Sequence, residues 1–108
     1  MRTEKVERMC GGTGHVIIRH LLEDAQLNGK CGLYAQVTIE PRCSLGYHEH
    51  HGESETYYIL SGTGHYNDNG TVRVVRSGDV TFTPNGKGHG LVNIGNQDLV
   101  FMALIIKD

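Results

Sequence analysis

The chain has 108 residues, with ten Lys and Arg against twelve Asp and Glu and a formal net charge of -2. That length sets one domain with a modest core, and charges scattered without a basic stripe or a one-sign block exclude a nucleic-acid surface and a charged tail. Fifteen glycines against two prolines require tight turns rather than a flexible linker.

Residues 1–7 carry no apolar signal core, and no segment is long enough to span a bilayer, so the expectation is a soluble cytoplasmic protein with no membrane partner. Residues 1–14 are polar and then glycine-rich, which predicts an N-terminal arm ordered against a partner, ahead of one domain over 15–108. Residues 15–22 are rich in β-formers and predict a first strand. Residues 23–29 predict one helical turn closed by Asn28-Gly29. A second strand is expected from about 33 to 40, with Leu33, Ala35, Val37 and Ile39 on one face and Tyr34, Gln36 and Thr38 on the other. Pro41 ends it.

The next stretch, Gly46-Tyr47-His48-Glu49-His50-His51-Gly52-Glu53-Ser54-Glu55, concentrates imidazoles and carboxylates. On a strand His48 and His50 share a face about 6.5–7 Å apart, close enough to converge on one ion, while Glu49 and His51 point the other way. Glu55 follows the bend at Gly52 and leads an apolar strand; Glu53 is its rival as a carboxylate ligand. Asn67-Asp68-Asn69-Gly70 is a strong hairpin signal joining the segment around His65 and Tyr66 to residues 71–75. Ser77-Gly78-Asp79 is a further turn before residues 80–83, and the Pro84-Asn85-Gly86 turn then delivers His89. A final strand is expected over 99–106. Short strands between Gly and Asn turns, with little helix, predict an all-β barrel or sandwich. Three neutral imidazoles and a carboxylate suit a divalent transition metal.

Two motifs carry a family resemblance. His48-Glu49-His50, four residues, Glu55, six residues and Gly62 form the first. Gly78, five residues, Pro84-Asn85-Gly86, two residues, His89, three residues and Asn93 form the second. In order and spacing they resemble the cupin superfamily. One position departs, Pro41-Arg42 standing where the family usually has Pro-Gly. The resemblance implies a double-sheet jelly-roll barrel and one Mn, Fe, Ni or Zn ion held inside it by His48, His50, Glu55 and His89.

Four protein ligands on a six-coordinate ion leave two positions for water, dioxygen or a bidentate ligand. The sequence therefore predicts a small metal-dependent cupin that chelates a carboxylate- or carbonyl-bearing metabolite, leaning towards an enzyme of decarboxylase, dioxygenase, isomerase or lyase type. The alternative is a non-catalytic binding or sensing module. Tyr57, sharing phase with Glu55, and Asn93, sharing phase with His89, are candidate ligand contacts, as is Gln36 on a polar strand face that reads as a cavity wall. Tyr57 also reads as an aromatic that only fills the barrel. Cys10, Cys31 and Cys43, in no Cys-x-x-Cys spacing, read as reduced, small buried residues. Apolar outer faces around Tyr58, Leu60 and residues 15–22 need covering, which predicts a C2 homodimer using the N-terminal arm.

Overall fold

The computed structural model describes residues 2–108 and contains ten strands, one short helix and one 3-10 turn. In chain order these are β1 (Thr3–Glu7), the 3-10 turn (Met9–Gly11), β2 (His15–His20), α1 (Asp24–Leu27), β3 (Cys31–Ile39), β4 (Ser44–Glu49) and β5 (Glu53–Ser61). Then follow β6 (Thr63–Asp68), β7 (Thr71–Arg76), β8 (Val80–Thr83), β9 (Gly88–Asn93) and β10 (Leu99–Lys107). Two antiparallel sheets face one another, six strands in the order β1-β2-β3-β10-β5-β8 and four in the order β4-β9-β6-β7. Among the described residues no helix is long and apolar enough to cross a membrane.

Alternation builds the core. Val16 and Ile18 on β2, Ala35, Val37 and Ile39 on β3, Tyr57 and Ile59 on β5, and Phe101 and Ala103 on β10 all point inward and are buried. Leu45, Tyr66, Val75 and Leu91 meet them from the smaller sheet. Turn chemistry closes the strands as expected: Asn28 takes a left-handed conformation (φ 57°) after α1, and Asn69 and Gly70 (φ 49° and 103°) make the β6–β7 hairpin.

Residues 2–14 differ from a free arm. Thr3–Glu7 pairs with β2 along the edge of the larger sheet, from Thr3 opposite Arg19 to Glu7 opposite His15. His20 reinforces the pairing, its Nε2 2.6 Å from Glu4. The rest of the segment turns back across the barrel mouth, where Thr13 and Ser44 exchange two 2.8 Å hydrogen bonds. The alternation in residues 3–7 is short and polar, so only the neighbouring edge of β2 makes it a strand.

The departure from the family pattern at Pro41-Arg42 has a local consequence. Arg42 occupies the left-handed region, with φ 68°, in the turn between β3 and β4. A side chain there carries a strain of about 1–2 kcal/mol that glycine avoids. Arg42→Gly should therefore raise the stability of the fold by up to about 1 kcal/mol after glycine's extra unfolded-state entropy is set against it. Thermal unfolding checks this: a midpoint a few degrees higher is expected, and a lower one would assign the Arg42 side chain a compensating role.

Candidate metal centre

Three strands and one strand end deliver the cluster. β4 pairs with β9 so that His48 lies directly opposite His89. His50 follows the end of β4, and Glu55 comes from β5 of the other sheet, opposite Thr83 of β8. The two halves of the site are stitched together by backbone. The His50 N–H donates to the Lys87 carbonyl (3.0 Å), the Gly86 N–H donates to the His50 carbonyl (2.7 Å), and the Gly52 N–H donates to the Asn85 side chain (2.8 Å). The Pro84-Asn85-Gly86 turn is thus a clasp across the two motifs.

His48, His50, Glu55 and His89 each offer one ligand atom, and the four atoms lie within 4.8 Å of one another. Glu55, His50 and His89 are buried, 4%, 5% and 0% exposed, and His48 is half-buried. Nε2 of His89 and Nε2 of His50 lie 3.0 Å apart and 2.9 and 3.0 Å from Glu55 Oε1, while Nε2 of His48 is 4.0 Å from that oxygen. Ligand atoms about 2.1 Å from one ion stand roughly 3 Å apart when adjacent at right angles and roughly 4.2 Å apart when opposite. Three adjacent spacings and one near-opposite spacing fit a six-coordinate ion better than a tetrahedral one.

The outer ring nitrogens fix the tautomers. Nδ1–H of His48 donates to the Gly46 carbonyl (2.8 Å), and Nδ1–H of His50 donates to Glu53 (2.6 Å). Both partners only accept, so each Nε2 presents a lone pair to the cluster. Nδ1 of His89 lies 2.9 Å from both the Tyr66 and Thr83 hydroxyls, which also touch each other at 2.9 Å. Lone pairs and a carboxylate aimed at one point are a cation site. The donor set therefore fits a divalent metal ion.

Glu55 keeps its charge despite burial: desolvation pushes its pKa up, and positive charge shared among the His48, His50 and His89 rings around it outweighs that, holding the carboxyl well below the usual range. His50 is shifted upward by its hydrogen bond with Glu55, against the opposing effect of burial and with further help from Glu53. Burial lowers His89, with Glu55 opposing. Tyr57, fully buried and close to Glu55, is held protonated well above its ordinary value.

A cavity of about 160 Å³ opens against the cluster. Its walls are mostly apolar, including Ile18, Leu33, Val37, Phe101, Ala103 and Ile105, and Met9 and Cys10 of the 3-10 turn also line it. Of the three candidate ligand contacts, only Tyr57 is brought here. Its ring stacks on His89 at 4.7 Å, and its hydroxyl lies 3.3 Å from Nε2 of His89. Gln36 is not: the cavity takes Val37 and the core takes Ala35, so period-two alternation turns Gln36 to the outer face beside Met102 and Arg19. The apolar face of β3 takes the interior because Ala35, Val37 and Ile39 pack into the hydrophobic core. Asn93 is a structural turn residue. Its Nδ2 donates to the Ile39 and Gln97 carbonyls and its Oδ1 accepts from the Gly95 N–H, all at 2.8 Å, leaving it committed to the β9–β10 connection.

Cysteine placement also differs in part. Cys43 is buried as expected, but Cys31 is half-buried, and Cys10 is exposed and lines the cavity. Sequence reasoning missed the supporting roles of Glu53, Tyr66 and Thr83. Glu53, three residues after His50 across a glycine bend, was within reach of a local argument. Tyr66 and Thr83 depend on β6 and β8 flanking the site, which no local pattern gives.

A family model for the Cupin domain matches residues 35–105. The chain belongs to the cupin family. This cupin is 44% identical over 103 residues to the oxalate-binding protein of Thermotoga maritima, covering 95% of this chain and 85% of that one. It is 33% identical over 79 residues to an oxalate decarboxylase of Bacillus subtilis, covering 68% of this cupin but 20% of the decarboxylase. Among solved structures, that of a predicted oxalate decarboxylase from Thermotoga maritima superposes with a TM-score of 0.96 at 42% identity, over 100% of this chain and 94% of that one. A cupin domain from Schizosaccharomyces pombe, 13% identical, shares the fold at a TM-score of 0.78 over 97% of this chain and 69% of that one. The jelly-roll architecture and the His/Glu cluster are thus those of a cupin.

Protons and metal compete for the same Nε2 lone pairs. Metal affinity should therefore fall as pH drops, starting above the ordinary histidine range because His50 is shifted upward. Glu53→Ala should weaken binding at pH 8 by about 10–100-fold, since it removes the acceptor that orients His50. Chelator competition across pH measures both; a pH-independent affinity would contradict the assigned tautomers.

Proposed function

We propose that this cupin binds one six-coordinate divalent ion of the Mn, Fe, Ni or Zn set and uses it to hold oxalate or a similarly small α-keto or hydroxy acid. The observation that carries the reading is the donor spacing beside a cavity of about 160 Å³. That volume is roughly five waters' worth, too small for a drug-sized ligand. The oxalate-binding name of a relative covering nearly all of this chain supports the same ligand class. When bound, the ion supplies positive charge and exchangeable positions for two carboxylate oxygens. The chain does the rest. The apolar walls exclude water, and the buried, protonated Tyr57 hydroxyl donates to an oxygen of the ligand.

Binding stands ahead of turnover here. Among the described residues lining the cavity, Glu55 is the one carboxylate, and it is committed to the cluster. Proton delivery would fall to Tyr57 or Cys10, both of which hold their protons tightly. Oxalate titrated calorimetrically into Mn(II)-loaded protein should bind, should fail to bind chelated protein, and should lose about tenfold or more in Tyr57→Phe. Metal-independent binding would overturn the reading.

The assembly proposed is a C2 homodimer through the outer face of the six-stranded sheet. Tyr34, Tyr58, Leu60, Val80, Phe82 and Ile106 are exposed there, with Tyr58 beside Val80 and Met102 in register. The outward positions of β10, β5 and β8 around them carry no charge from Val100 to Ile106, Thr56 to Leu60 or Val80 to Phe82. An uncharged apolar patch on β10, β5 and β8 suits an identical patch across a two-fold axis. Light scattering should give a dimer mass at micromolar concentration and a monomer mass for Phe82→Glu, while a wild-type monomer would contradict it.

A further inference from the structure

Resting on that ligand reading, we propose that residues 9–12 form the roof through which ligand reaches the metal cavity, with the Met9 and Cys10 side chains setting what can pass. Every other residue lining the cavity lies on a strand or, for His50, directly after one. Those walls are hydrogen-bonded into the two sheets. The roof is not. Its own backbone hydrogen bonds, from the Gly11 N–H to the Arg8 carbonyl and from the Gly12 N–H to the Met9 carbonyl, close within the turn at 3.0 Å each. The anchors to β4 begin one residue later, at Thr13. Cys10 both lines the cavity and is exposed, so its side chain stands between the metal ligands and solvent.

The roof sits on bare glycine backbone. A Cβ on Gly46 would lie 2.0 Å from the Cys10 carbonyl oxygen, and one on Gly12 would lie 2.2 Å from the Ser44 carbonyl oxygen. Only glycine at both positions allows this approach. Gly46 is also the residue whose carbonyl orients His48. Roof and metal ligand therefore share a seat. On its far side the same turn borders an open crevice of about 340 Å³, lined by Gly11, Gly12, Thr13, Tyr47 and Val72 among others, which gives it room to swing outward.

The test uses full-length, Mn(II)-loaded protein with oxalate as ligand and iodoacetamide as a thiol probe. Carbamidomethylation of Cys10 should weaken oxalate binding by about tenfold or more without loss of metal, and bound oxalate should slow the modification. The Cys10→Ser variant should be indifferent to the treatment, which removes Cys31 and Cys43 from consideration. Gly12→Ala, by lifting the roof, should hasten metal loss to a chelator. Alkylated protein that binds oxalate as before would overturn the roof while leaving the ligand reading intact. If untreated protein binds no oxalate, the ligand reading fails, and the roof is judged on metal extraction alone: slower after alkylation supports it, unchanged overturns it.

Discussion

A buried anion inside an apolar barrel is the constraint on which the rest of this structure depends. Glu55 projects from β5 into a core otherwise built from aliphatic and aromatic side chains, and desolvating a lone carboxylate there costs several kcal/mol. The imidazoles answer that charge, yet two of them have their Nδ1 protons committed outward to acceptors that can do nothing else. Their inner nitrogens bring lone pairs, not protons, to the carboxylate. Only a cation at the centre, a metal ion or shared protons, reconciles the arrangement.

Much of the scaffold follows from holding that cluster. The antiparallel register of β4 and β9 puts His48 opposite His89, and the β5–β8 pairing puts Glu55 opposite Thr83, whose hydroxyl reaches His89. Tyr66 from β6 completes the support from the opposite side. The glycine turn at 84–86 clasps His50, and Asn93 ties β9 to the end of β3 and to the loop before β10. Polar residues of the two motifs that do not touch the centre thus act on the backbone that carries it. The cavity left over is small and apolar, which is why an ion must provide the polarity that a small diacid needs.

The strand pattern and the ligand positions were legible in the sequence because both are local or nearly so. Period-two alternation separated His48 and His50 from Glu49 and His51, and Asn-Gly chemistry placed the β6–β7 turn. Glu53 and Glu55 could be told apart only by family spacing, and the structure gives them different tasks on the same histidine. Gln36 shows where alternation runs out. It correctly split β3 into two faces, but which face lines a cavity depends on what packs opposite, and Val37 took that place. The N-terminal segment shows the same limit. Its polar, glycine-rich composition gave no sign of an edge strand, since pairing with β2 and seating on Gly46 are tertiary events.

The most direct test of the central claim is elemental analysis of protein purified without added metal, alongside His89→Ala and Glu55→Ala variants. The account predicts about one divalent transition ion per chain in the wild type and a steep loss of occupancy in both variants, since each removes a direct ligand. A folded wild-type protein that carries no ion and takes none up on loading, or variants that keep full occupancy, would contradict it.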